Sequence, residues 1–422
     1  MTVAALWGDT FRSLGTRNFK LFFVGQFVSQ TGTWMTMIAQ TLLLLDLTGS
    51  GVMLGLLAAC QFGPLLLFGP WTGALADRVD KRRLLFTVQF GSMIQSLAFG
   101  LIVLTGNATV KWVLVLACVK GFLNAMDNPV RRSFVTELVA PVDVANAVGL
   151  NSAVMTGARV VGPAVAGLLI GAFGYAWCFL FDGLSYLAVL AGVAMMRKSE
   201  LFPSVVAERT RGQVRAGFRY VRSNPDLLIP MVMTAIIGTF AFNLAVSTPL
   251  LITRALDGSQ QAFTLFYSCM SLGALLVALA TARRRDIPKS HLVWAAVVFG
   301  ASSCALAAAP ALWLIYPIGF ILGMGSIGFM VSSNATMHLR AAPAFRGRVM
   351  ALQAMVILGS TPIGGPLIGW AGDKLGNRVP LLIGGLACFV AAAWGQRVWK
   401  QAESIPALLT LSPADTVSGN AR

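Results

Sequence analysis

The chain has 422 residues, 56% of them apolar and only 11% charged, whereas soluble domains run at about 45–50% apolar and about 25% charged. The apolar excess falls into runs of roughly 18–25 residues, each long enough to cross ~30 Å of hydrocarbon as a helix; this excludes a single soluble core and points to an integral membrane protein. A formal net charge of +16 would suit nucleic-acid binding, but the basic residues sit at the ends of the apolar runs, so no nucleic-acid partner is expected.

In chain order, apolar runs are read at about 19–45, 52–72, 84–105, 111–127, 145–173 and 176–196, then at about 227–252, 262–282, 291–309, 311–333, 349–372 and 379–396. The reading is an all-α integral membrane protein of twelve transmembrane helices in two six-helix halves, residues 1–196 and 227–396. Between them lies a polar, basic segment, 197–226. There Val214, Phe218 and Val221 repeat at helical spacing beside Arg211, Arg215, Arg219 and Arg222, which predicts a basic amphipathic helix on the inner leaflet. The tail, 397–422, is polar and is expected to be disordered.

Lys and Arg set the orientation. With the N-terminus inside, 26 of the 32 fall on cytoplasmic segments, while Lys111, Arg254, Lys374 and Arg378 fall outside and Lys120 and Arg159 lie within runs. Both termini are therefore expected in the cytoplasm of an inner-membrane protein. The first run is too long for a signal-peptide core, so a cleavable signal peptide is not expected. The six cysteines lie in or at the edges of apolar runs with no CxxC pair and read as small buried side chains. There is no HExxH motif and no P-loop, so neither zinc catalysis nor P-loop ATP hydrolysis is expected. The chain is read as a non-enzyme that needs no cofactor or metal.

Two motifs and two loops carry a family resemblance. Between the second and third runs stands Gly73-Ala74-Leu75-Ala76-Asp77-Arg78-Val79-Asp80-Lys81-Arg82-Arg83. In the fifth run, Gly149, Ala158, Gly162-Pro163, Ala166 and Gly167 keep the spacing of an antiporter motif, with Ala at two glycine positions. Asn128-Pro129-Val130-Arg131-Arg132-Ser133-Phe134 and Arg346-Gly347-Arg348-Val349-Met350 complete the set. Together they resemble the major facilitator superfamily, in the branch of the enterobactin exporter and drug efflux proteins; Asp80 stands where most of the family has a second glycine. The resemblance implies the major facilitator fold, a monomer, proton antiport and alternating access. It also implies that Gly73, Asp77, Arg78, Lys81, Arg82 and Arg83 form a cytoplasmic gate, with Asp77 facing the N-terminus of the eleventh helix. The fifth run would be a tightly packed, flexible helix.

Charges inside apolar runs are costly and mark site candidates. Lys120 and Arg159 are read as lining the substrate cavity, with Gln26, Gln30 and Thr33 on one stripe of the first helix and with Asn151 and Asn243. Among the acids, only Asp46 and Asp182 are read as membrane-embedded, which makes them the candidates for proton coupling. The function expected is export of a small molecule, a siderophore or drug-like compound, from the cytoplasm through the lipid bilayer. The alternatives are an importer or lipid flippase of the same fold and a non-transporting membrane sensor. Because Lys120, Arg159, Asp46 and Asp182 all lie in the first half, coupling and cargo charge are expected there.

Overall fold

The computed structural model describes residues 11–76, 79–202, 213–282 and 288–404. Among them the chain is helical from end to end. In order the helices are α1 (Arg17–Thr48), α2 (Gly51–Ala76), α3 (Lys81–Leu104), α4 (Val110–Glu137), α5 (Val144–Phe173), α6 (Tyr175–Ala194), the short α7 (Gln213–Arg222), α8 (Pro225–Ala255), α9 (Gln260–Ala282), α10 (Lys289–Ala308), α11 (Ile315–Arg340), α12 (Pro343–Leu375) and α13 (Val379–Ser404). Ten of them are long and apolar enough to cross a membrane, which makes this a multi-pass membrane protein. Of the twelve predicted runs, those in α1 and α4 fall short of that apolarity. The reason is chemical: α1 buries Gln26, Gln30 and Gln40, and α4 buries Lys120, Asp127 and Arg131.

Two predicted boundaries move. The fourth run was expected to end at Asp127, but α4 continues through Pro129 to Glu137; the drop in hydropathy marks a buried ion pair, not a helix end. Membrane helices carry such a proline because neighbouring elements satisfy the freed backbone groups. The expected tail begins inside α13, which runs to Ser404 because Trp399, 5% exposed, still packs on the bundle; residues 405–422 lie outside the described ones. In the central segment α7 forms, held to α12 by Tyr220 stacked on Phe345 (4.4 Å between centroids) and by buried Val221, while Phe218 is exposed.

The helices pack in two sets. α1 lies on α5 and α6, α3 on α4 and α6, and α2 on α4; among the later helices α9 and α10 lie on α11, α10 also on α13, and α8 on α12 and α13. The sets meet along α2–α12 and α5–α9. Small residues make these contacts close: a Cβ at Gly51 would stand 2.7 Å from Gly369 O, and one at Gly55 would stand 2.6 Å from Pro366 Cα. α8 is broken at Asn243, whose side-chain amide donates to Thr239 O (2.7 Å), and resumes through Pro249 into a π-helical turn.

Several ties between the sets gather at one end of the bundle, the end of Asp46. Asp373, near the C-terminus of α12, accepts hydrogen bonds from Ser50 Oγ (2.7 Å) and from the backbone N–H groups of Gly51 (2.6 Å) and Val52 (3.0 Å), so it caps the N-terminus of α2. Asp46 accepts from Tyr175 and from Gln260 Nε2 (2.9 Å), joining α1 to α6 and α9. Gly49 closes α1 at φ 65°, a left-handed turn natural to glycine.

Candidate functional site

The polar face of α1 sets the first wall. Gln26, Gln30 and Thr33 recur at helical spacing, and each helical turn brings them toward α4 and α6. Gln30 Nε2 donates to Gln26 Oε1 (3.4 Å), and the Thr33 hydroxyl lies 3.1 Å from Tyr186 Oη. Further along, Gln61 Nε2 donates to Gln40 Oε1 (2.9 Å), while Gln40 Nε2 donates to Val113 O (3.1 Å). Side-chain amides among helices hold them together and present spare donors and acceptors to whatever lies between.

α4 and α6 supply the charges. Lys120 is 8% exposed; its ammonium hydrogen-bonds Tyr186 Oη and lies 4.6 Å from that ring's centroid. One turn before Tyr186, Asp182 is fully buried. Its Oδ2 accepts from Ser96 Oγ (2.8 Å), whereas Oδ1 has no hydrogen bond of good geometry. Asp182 and Lys120 thus lie on either side of the same residue in the contact network, Asp182 one helical turn from Tyr186 and Lys120 hydrogen-bonded to its hydroxyl. A second charged group lies two turns along α4, where Arg131 Nε pairs with Asp127 Oδ2 (3.0 Å) and Gln89 Nε2 donates to Asp127 Oδ1 (2.7 Å).

Gln30, Thr33, Lys120, Asp127, Arg131 and Tyr186 open onto one cavity of about 240 Å³, closed on its apolar side by Trp34, Phe62, Leu65 and Met155. Every residue around it comes from α1 to α6. The space combines a cationic lysine, an ion pair, several amides and an aromatic wall, which is the mixture of apolar lining and sparse polar groups that a small-molecule site uses. Among the described residues no group of His, Cys, Asp and Glu is arranged to hold a metal ion.

The predicted residues distribute as follows. Gln30, Thr33 and Lys120 line this cavity. Gln26 is buried beside it, and Asn151 on α5 is half-buried away from it. Asn243 is buried at the break in α8 and faces Gly364 of α12. Arg159 stacks on Trp34, with its guanidinium carbon 4.8 Å from the ring centroid, and has no ion pair among the described residues; it lies between the two helix sets, within electrostatic reach of Tyr267 on α9. Asp182 is buried as expected, but Asp46 is exposed: it sits in the last turn of α1, where the chain leaves the apolar zone.

In the fifth-run motif, Ala158, Gly162 and Pro163 are buried; a Cβ at Gly162 would stand 2.5 Å from Trp34 Cβ, one at Gly167 would stand 3.0 Å from Thr264 Cβ, and Gly149 faces open space. The motif thus sets the approach of α5 to α1 and to α9. Of the gate motif, Gly73 lies in the last turn of α2, which ends at Ala76, while Asp77 and Arg78 lie outside the described residues. Lys81 pairs with Glu137 of α4, and Arg82 donates to the last carbonyls of α6, Val193 O and Ala194 O, at 2.9 Å each. Arg83 is exposed, 3.8 Å from Asp80. Gln89 and Tyr186 were not singled out from sequence, and Asp127 and Arg131 were read only as the end of the fourth run and as part of the loop motif that follows it, although they stand at i,i+4 and Gln89, Ser92 and Ser96 repeat at helical spacing.

A bundle of apolar helices around such a cavity has the form of a membrane transporter. A family model described as "Transmembrane secretion effector" matches residues 9–409, and the chain belongs to that family, within the major facilitator superfamily of transporters. It is 24% identical over 265 residues to the staphyloferrin A transporter of Staphylococcus aureus, covering 62% of this chain and 66% of that one, just under two thirds of its length. It is 23% identical to macrolide efflux protein A of Streptococcus pyogenes, covering 89% and 95%, and 24% identical to multidrug efflux pump Tap of Mycolicibacterium fortuitum, covering 83% and 88%. Its fold matches a bacterial homologue of the human lysosomal transporter Spinster in an inward-facing, unoccupied conformation, with a TM-score of 0.71 at 15% identity over 91% of this chain and 97% of that chain. The nucleoside transporter NupG gives 0.72 at 13% identity over 91% and 99%.

Proposed function

We propose that the chain exports a small molecule from the cytoplasm by proton antiport and alternating access. The observation that carries this reading is the burial of Asp182 and Lys120 near Tyr186, in a membrane bundle with a polar cavity that Lys120 lines, since ionisable groups kept at that depth serve substrate or ion pathways. Twelve spans form two six-helix halves, with α7 between them on the cytoplasmic side and both termini in the cytoplasm of the inner membrane. The Asp46 end is then the outer face. Ties at that face suit the inward-open state of a monomer.

Proton coupling is assigned to Asp182. Cargo charge is assigned to Lys120, which is hydrogen-bonded to Tyr186, and to Arg159, which stacks on Trp34. The names of the relatives, a staphyloferrin A transporter and two efflux proteins, support a small-molecule cargo, and the buried ammonium of Lys120 supports one that carries or tolerates negative charge. Asp46, exposed and held by Tyr175 and Gln260, is assigned to the outer closure and not to the proton path.

The test is flux in inside-out vesicles with an anionic catecholate and a neutral amphipathic dye. A pH gradient is expected to drive uptake of at least one of them. Lys120→Gln is expected to cost the anionic cargo about tenfold more than the neutral one, the factor that ~1.4 kcal/mol of lost charge recognition sets. Absence of gradient-driven flux for both compounds would exclude proton-coupled export of either class, and equal losses for both in Lys120→Gln would remove the charge assignment.

A further inference from the structure

Away from the polar cavity, the start of α10 and the end of α13 enclose a second space of about 270 Å³. Lys289, Ser290, Gln396 and Lys400 bring polar groups to it, Trp294 and Trp399 wall it, and Val293 and Val297 extend it along α10. Trp399 is only 5% exposed, and its indole N–H, which is purely a donor, has no hydrogen-bond partner. A buried N–H without an acceptor is unusual in a folded protein and asks for one to arrive.

Trp294, by contrast, is 67% exposed. It lies about one and a half turns into a helix apolar enough to cross a membrane, the depth at which tryptophan meets the lipid interface. Among the described residues the charge balance around the space is positive. Asp226 is held by Lys289 at 2.8 Å and by Arg340 at 2.7 Å, so one acid faces two cations. Lys289 Nζ also lies 5.7 Å from the Trp399 ring centroid. Lys400 is exposed and adds a further cation, with no carboxylate partner among the described residues.

We propose that this space is a binding site for the headgroup of an acidic phospholipid. The phosphodiester accepts hydrogen bonds from the Trp399 indole N–H and the Ser290 hydroxyl and lies against the Lys400 ammonium. The acyl chains run along Val293, Val297 and the exposed face of Trp294. The ligand must be anionic because the surrounding charge is net positive, and it must be a lipid because the walls beside the polar groups are apolar and face the bilayer. The site sits on the later helices and does not depend on the direction of transport or on the cargo.

The experiment is a lipid titration of the full-length protein in mild detergent, with bound lipid counted by native mass spectrometry. Phosphatidylglycerol, phosphatidylcholine and glycerol 3-phosphate are the three probes. The expected result is one phosphatidylglycerol retained at least about fivefold more tightly than phosphatidylcholine, the factor for one lysine near an acidic lipid. Lys400→Gln, an exposed change that leaves the packing alone, is expected to remove about that factor; Trp399→Phe keeps the ring, loses the donor and weakens phosphatidylglycerol further. Equal retention of the two lipids by the unaltered protein overturns the proposal, and so does a full preference in Lys400→Gln. Displacement of the lipid by an equal concentration of glycerol 3-phosphate makes this a site for free phosphate esters and overturns the lipid assignment.

Discussion

The interior of α1–α6 and the interior of α8–α13 are built from different chemistry. The first set buries Lys120, Asp127, Arg131 and Asp182, all on α4 and α6. The second buries polar groups as well, but the residues buried there among the described ones are uncharged, with hydroxyls, amides and the Trp399 indole, such as Thr234 and Ser333 joined at 2.9 Å and Gln353 donating to Ser333 at 3.0 Å. Hydroxyl and amide pairs fasten helices at a modest gain each, while buried charges exact a desolvation cost that stays with the fold only where they are paired or used. The two sets thus have similar packing and unequal cost, and the unequal cost lies where the cavity lies.

The largest expected effect comes from removing the one buried acid that lacks a full set of partners. Asp182→Asn keeps the shape and the Ser96 contact but cannot release a proton, so gradient-driven efflux in vesicles is expected to fall to background while membrane insertion is unchanged. The matching change in the later set, Gln353→Leu, is expected to leave coupling intact. If Gln353→Leu abolishes coupling as fully as Asp182→Asn, the contrast between the two sets is broken.

Arg131 comes next, and its readout is stability. Arg131→Met leaves the Asp127 carboxylate buried and unpaired, a loss of about 3–5 kcal/mol that thermal unfolding in detergent will register. Adding Asp127→Asn should return a good part of it, because both charges are then gone. A double variant as unstable as Arg131→Met would show that the pair is not the source of the cost.

Much of this architecture is legible in the sequence, and the failures have physical causes. The stripe Gln26, Gln30 and Thr33 can be read because polar residues at i, i+4 and i+7 stand out in an apolar run. Asp182 can be read as buried because it is the lone acid in the middle of the sixth run. Asp127 and Arg131 were hidden by the same property that matters about them: an ion pair lowers hydropathy, and a run scored by hydropathy stops there. Pairing at i,i+4 inside a continuing helix is the signal that would have kept α4 going to Glu137. Trp399 was lost in the same way, since the basic residues around it made the end of α13 look like a tail. What the sequence could not give was which faces meet, such as Asp373 against the N-terminus of α2, more than 300 residues apart in the chain.

Asp373 gives a smaller, conformational prediction. Its carboxylate serves three donors at the start of α2, two of them backbone N–H groups with no partner inside their own helix. Asp373→Ala removes that cap, worth about 0.5–2 kcal/mol, and favours separation of α2 from α12 at this end. Labels placed near the Asp46 end and read by distance spectroscopy should show the open population rising by a factor of about 2–30, the ratio those energies set. Asp373→Asn, which keeps one acceptor oxygen, should fall between. An unchanged distance distribution in Asp373→Ala would mean that the glycine contacts of α2 and α12 hold this end without the cap.

The smallest effect is expected at Asp46, the other acid that stood out in the sequence. It accepts from Tyr175 and Gln260, so it joins the two helix sets as Asp373 does, but it is exposed, and water can replace both partners. Surface polar changes of this kind are usually within about 0.5 kcal/mol. Asp46→Asn keeps the shape and one oxygen, so transport and its pH dependence should stay within about twofold of the unaltered protein. The comparison with Asp182→Asn is the sharp one, since the two substitutions are chemically identical and differ only in burial. Loss of coupling in Asp46→Asn with retention in Asp182→Asn would move the proton path from the bundle interior to its outer rim, and it would leave the Lys120–Asp182 pair a structural tie like those of the later helices.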